Sequence, residues 1–175
     1  QGGAARAQLF ADRIFTLLLA SQIVLLAVAL AFTPTVIDVL APGFARDPGR
    51  FELAVHLTRI TFPYLLLITL VTLYGGILNA LQRFASAAFA STLLNLSMIA
   101  TLALAAFFPN AGHAAAWGVL ISGVLQALLV GGNAWRIGAM PVLRWPELDA
   151  DVRRFFKALG PATVGSAGVQ LALFA

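Results

Sequence analysis

The sequence predicts an all-α integral membrane protein, a polytopic helix bundle, and three observations carry that prediction. From Leu53 to Trp135 the only charged residues are Arg59 and Arg83, and no carboxylate occurs; a surface in water needs far more charge than that. Hydrophobic residues make up 61% of the 175 and charged residues 10%, where a soluble domain carries roughly 25% charged residues. The apolar residues also come in wide, uninterrupted runs. That suits helices, because the strands of a lipid-facing barrel would alternate apolar and polar over about ten residues.

Five runs follow in order. The first covers about 14–37, preceded by Arg6, Asp12 and Arg13 and ended near Pro34 and Asp38. The second covers 60–81, with Pro63 in its first turn, where a missing N–H costs little. The third covers 84–108 and is closed by Pro109-Asn110; the fourth covers 114–133 and is closed by Gly131-Gly132. At 1.5 Å per residue each of these four reaches about 30 Å, enough to cross the hydrocarbon core. The fifth begins near Leu159 and is still apolar at Ala175. Because the chain opens on Gln1 and closes inside that run, it reads as an internal piece of a longer membrane protein.

The connections set a direction. Arg6, Arg13, Arg83, Arg136, Arg144, Arg153, Arg154 and Lys157 fall on one side, while Arg46, Arg50 and Arg59 fall on the other among Asp38, Asp47 and Glu52. The positive-inside rule then places residues 1–13, the turn at Arg83 and the segment 134–158 in the cytoplasm, with 38–57 and 109–113 outside. The turn at Arg83 is tight enough to force the second and third runs into an antiparallel hairpin. APGF (41–44) followed by Asp47-Pro48-Gly49 reads as a turn into a short amphipathic stretch, RFELAVHL, at the outer surface. The segment 140–158 mixes basic and aromatic residues, as the interface with anionic lipid heads demands, and marks the expected boundary between two helix bundles. Net charge is +4 and the pI about 10.7, but the basic residues are distributed over connections, so membrane lipid rather than nucleic acid is the expected partner.

Polar residues inside the runs are where function would show, since they are costly in lipid. Thr58, Thr72 and Asn79 share the face of Leu65, with Thr69, Gly76 and Arg83 beside them; Ser91 and Asn95 are four apart; so are Gly118, Ser122 and Gln126. Such stripes either pack helices closely or line a water-filled path for a polar substrate. The candidates for such a path are Arg59, Asn79, Arg83, Asn95, Gln126 and Gln170. Arg59 also has a simpler account, since its stem can snorkel to the interface. Gly160, Pro161, Gly165 and Gly168 make the fifth run a candidate hinge, because glycine and proline weaken the helical ladder. His56 and His113 read as interfacial residues rather than metal ligands. The chain has no cysteine and no HExxH, and its runs hold no carboxylate pair or Ser/His dyad. No catalytic residue, metal or cofactor is expected, and the chain is not read as an enzyme.

The stretch RITFPYLLLITLVTLYGGILNALQRFASAAFASTLLNLSMI (59–99), with its FPY, GGILNA and RF…AFA…LLN pieces, closely resembles the bacterial MurJ (MviN) family of lipid II flippases. APGF at 41–44 and GPATVGSAGVQ at 160–170 fit the same family in order. The resemblance implies that the first four runs are the third to sixth helices of a fourteen-helix exporter, within its N-terminal lobe, and that the fifth run opens the second lobe. It implies export of a polyprenyl-pyrophosphate-linked sugar-peptide, lipid II, across the bacterial inner membrane by alternating access. It also implies that the arginines answering the pyrophosphate lie mainly on helices absent from this chain. Other readings are a polysaccharide-lipid flippase or drug/cation antiporter of the same superfamily, a membrane scaffold, or an intramembrane enzyme. An antiporter would show an acidic site within its spans, and none occurs in this portion.

Overall fold

A computed structural model describes residues 2–145, 152–154 and 157. Among these residues the structure is helical, with six α-helices: α1 (Gly2–Ala31), α2 (Thr33–Leu40), α3 (Pro48–Thr61), α4 (Pro63–Ala80), α5 (Ala85–Ala103) and α6 (Ala111–Arg136). Among the described residues four stretches are long and apolar enough to cross a membrane: Arg6–Ala31, Pro48–Ala80, Ala85–Ala103 and Ala111–Arg136. The chain divides into two compact units, one of Gln1–Leu17 with Pro141–Ala175 and one of Leu18–Met140.

Prolines set the breaks in the larger unit. The first expected run, 14–37, is two helices, because α1 stops at Ala31 and α2 restarts with Pro34 in its first turn. Pro34 has no N–H for the Leu30 carbonyl; the buried Thr33 hydroxyl donates to that oxygen at 3.0 Å and to the Ala29 carbonyl at 2.9 Å. The second run likewise begins earlier than expected: α3 passes through Phe62, itself in the right-handed helical region, into α4 at Pro63. The amphipathic RFELAVHL stretch thus becomes the body of α3. Asp47 caps it, accepting from the N–H groups of Gly49 and Arg50 at 3.1 and 3.2 Å, which satisfies two donors of a helix end.

The third run was expected to reach 108, but α5 ends at Ala103 and tightens into a 3₁₀ turn over Ala105–Phe107. Phe108 is extended, as a residue before proline prefers. Asn110 then caps α6 by accepting from the His113 N–H at 3.0 Å. Gly131-Gly132, expected to close the fourth run, do not. The helix continues to Arg136 and ends at Gly138, whose φ is +67°.

α6 is the hub of the larger unit, packed on α5, α4 and α3. Its glycines make the close approaches. A Cβ at Gly118 would run into the Thr101 hydroxyl and lie 3.3 Å from Met98 Cα, and one at Gly123 would sit 2.7 Å from the Tyr64 ring. A Cβ at Gly131 would lie 3.2 Å from the Tyr74 ring, so that glycine serves packing rather than termination. Small residues at a helix interface let backbones approach and dispersion add up.

In the smaller unit Asp12, 1% exposed, gathers the chain around it. Its carboxylate accepts from Arg144 Nε and the Val142 N–H, each at 2.9 Å, and from Gln8 Nε2 at 3.2 Å. One turn on, the Thr16 hydroxyl donates to the Asp12 carbonyl and accepts from the Arg144 N–H. The extended start of the 140–158 segment is therefore fastened to α1 by a saturated carboxylate. The remainder of that segment, apart from 152–154 and 157, and the fifth run lie outside the described residues.

Candidate functional site

The polar stripes of the sequence part into two kinds. On α4, Val71, Tyr74, Gly75 and Leu78 form the buried face. At 100° per residue the positions Leu65, Thr69, Thr72, Gly76 and Asn79 fall together, roughly a third of a turn away. That second face is open: Leu65, Thr72, Gly76 and Asn79 are exposed and Thr69 half-buried. A Cβ at Gly76 would meet nothing within 4 Å. The Thr69 and Thr72 hydroxyls donate to the Leu65 and Ile68 carbonyls, each at 2.8 Å. Each satisfies itself on its own helix and leaves its lone pairs outward. On α5, Ser91 and Asn95 are exposed as well.

The α6 stripe is the other kind. Gly118 and Ser122 are buried, and the Ser122 hydroxyl donates to the Val119 carbonyl at 2.6 Å. Gln126 is 3% exposed, and its Nε2 has no hydrogen-bond partner. This stripe packs α6 against its neighbours.

The candidate cations stand apart. Arg59, in the last turn of α3, is exposed on a cleft of about 320 Å³ shared with Pro34, Glu52 and His56. His56 reaches across to His113 on α6, with ring centroids 5.2 Å apart, and His113 Nδ1 lies 2.9 Å from Asn110 Oδ1. Arg83 lies at the opposite end of α4, a helix about 27 Å long at 1.5 Å per residue. It is not in register with the Thr72–Asn79 stripe, because α4 has already ended. The Gln82 N–H bonds the Asn79 carbonyl and the Arg83 N–H the Leu78 carbonyl at 2.8 Å, with Gln82 at φ +59°. This is a Schellman turn with glutamine where glycine is usual. Of the sequence candidates, then, Asn79 and Asn95 lie on open faces, Gln126 in the packed interior, and Arg59 and Arg83 at opposite ends. Gln170 and the hinge candidates Gly160, Pro161, Gly165 and Gly168 lie outside the described residues.

Sequence reading missed the Asp12–Arg144 fastening, whose partners are 132 positions apart. The one available signal was a carboxylate at the edge of an apolar run, which needs a partner.

The family model described as lipid II flippase MurJ matches residues 1–175 of this chain. Similar proteins include one named lipid II flippase MurJ in Burkholderia cenocepacia, 35% identical over 93% of this chain and 32% of the relative. Proteins named "Probable lipid II flippase MurJ" in Rickettsia prowazekii and Rhizobium tropici are each 33% identical, over 94% and 95% of this chain and 32% of each relative. The chain thus spans about a third of the length of these curated relatives. With the match running its whole length over membrane-spanning helices, the chain belongs to the lipid II flippase MurJ family.

Proposed function

We propose that this chain is the part of a bacterial inner-membrane flippase that supplies one wall of the substrate path, in a transporter moving lipid-linked peptidoglycan precursor by alternating access. The observation that carries the reading is the uncovered polar face of α4. A spanning helix in lipid alone would bury or replace Asn79, because hydrocarbon offers an amide nothing to bond. Facing water and a sugar-peptide head, the same amide is hydrated at rest and exchanges that water for substrate hydroxyls and amides. Asn95 and Ser91 extend the polar lining on α5. The Arg83 turn and 134–158 lie in the cytoplasm, with 38–57 and 109–113 outside, as the arginine distribution favours. The role is transport, with lipid II as cargo and no bond made or broken.

The test uses the full-length gene. Shutting it off is expected to stop appearance of the precursor on the outer face, and restoring it with Asn79→Leu is expected to return only a fraction of the export rate, at unchanged protein level. Continued export after complete loss of the protein would overturn the transport assignment. Full rescue by Asn79→Leu would overturn the role of the α4 face while leaving the transport assignment standing.

A further inference from the structure

One cavity of the larger unit is not on the α4 polar face. It is a groove of about 730 Å³ at the end of the helices where α4 turns into α5, lined by Gln82, Arg83, Ser86, Phe89, Leu129 and Asn133. Leu78, which also lines it, belongs to the buried side of α4, so the groove adjoins a face roughly a third of a turn from Thr72 and Asn79.

Among the described residues no carboxylate answers its charge. Between Glu52 and Glu147 the chain contains no carboxylate, and among the described residues no ion pair joins Arg83, whereas Arg50 and Arg144 pair with Asp47 and Asp12. A guanidinium at the end of a spanning helix, with no anion from its own chain segment, takes one from its surroundings. The groove is amphiphilic in the matching order. The turn supplies the guanidinium, the Gln82 amide and the Ser86 hydroxyl, while Phe89 and Leu129 supply its apolar wall. The left-handed Gln82, at φ +59°, shapes the turn at this corner.

We propose that this groove binds the phosphate of an anionic phospholipid of the surrounding leaflet, with an acyl chain laid along the exposed Phe89 and the half-buried Leu129. The lipid source is favoured over the transported one because the groove lies off the polar face assigned to the path. The inference needs only that these helices span a membrane, and it stands apart from which cargo they carry.

The test is native mass spectrometry of the purified full-length protein in neutral detergent, titrated separately with phosphatidylglycerol, phosphatidylcholine and a lipid-linked pyrophosphate. Arg83→Ala is expected to weaken the tightest phosphatidylglycerol binding about fivefold to tenfold, with Arg83→Lys intermediate and phosphatidylcholine unchanged. Raising the salt is expected to narrow the difference. Ser86→Leu fills the groove without touching the charge and is expected to give the same selective loss, which keeps the test decisive should Arg83→Ala fold poorly. Wild-type phosphatidylglycerol binding by both variants would overturn the proposal. So would equal loss of both lipids, or a loss confined to lipid-linked pyrophosphate, which would assign Arg83 to the cargo.

Discussion

Asn79 and Gln126 carry the same amide and meet opposite fates. Asn79 is exposed on α4 while Gln126 is sealed among the helices with Nε2 unbonded. A buried amide donor without an acceptor costs about 1–3 kcal/mol. Gln126→Met, which keeps the volume and removes the donor, is therefore expected to raise stability by about 1 kcal/mol, read as a higher thermal midpoint of the full-length protein in detergent. A lower midpoint would mean that a polar partner holds the amide. The sequence placed both residues on stripes of small and polar side chains, and nothing in a stripe's composition distinguishes them. Spacing tells which residues share a face; which face a neighbour covers depends on the helices that fold against it.

Helices as elements were legible because lipid demands long apolar runs, and four of the five runs became spanning stretches among the described residues. Their ends were less so. Pro34 and Pro63 sat inside runs read as single spans, and each separates two helices, since proline removes one ladder bond wherever it falls. Gly131 looked like a terminator and is a contact, its missing side chain occupied by the Tyr74 ring. The same logic gives a sharp expectation at Gly118, where any Cβ meets the Thr101 hydroxyl and the backbone of Met98. Backbone cannot rotate aside as a long side chain can, so α5 and α6 must separate along their shared face. Gly118→Val is expected to lower stability by about 2 kcal/mol or more, while Gly132→Ala, with nothing within 4 Å of its Cβ, is expected to be nearly neutral. Thermal unfolding of the two variants side by side measures the difference, and equal midpoints would remove the close-packing role from Gly118.

At the scale of the larger unit, α6 gathers α3, α4 and α5 around a face of small residues, leaving the polar side of α4 uncovered. Packing and path divide the polar residues between them: interior groups satisfy their own helix or go unpaired, and open groups wait for water. That division is measurable by thiol chemistry, since this chain has no cysteine of its own. In a cysteine-free version of the full-length protein, Thr72→Cys, Asn79→Cys and Asn95→Cys are each placed singly, with Val71→Cys and Leu78→Cys from the buried face of α4 as references. A thiol reacts with maleimide as the thiolate, and a thiol in apolar surroundings has its pKa raised and stays inert. If the open faces line a hydrated path, a membrane-impermeant maleimide labels positions 72, 79 and 95 at least about tenfold faster than 71 and 78, because each unit of thiol pKa elevation removes a factor of ten in thiolate. Lipid-bound α4 would leave all five equally slow, and a covering helix would silence 72 and 79 together. Adding substrate sharpens the result: cargo in the path would protect 72 and 79 while leaving the buried references unchanged, a response that neither lipid contact nor static packing produces.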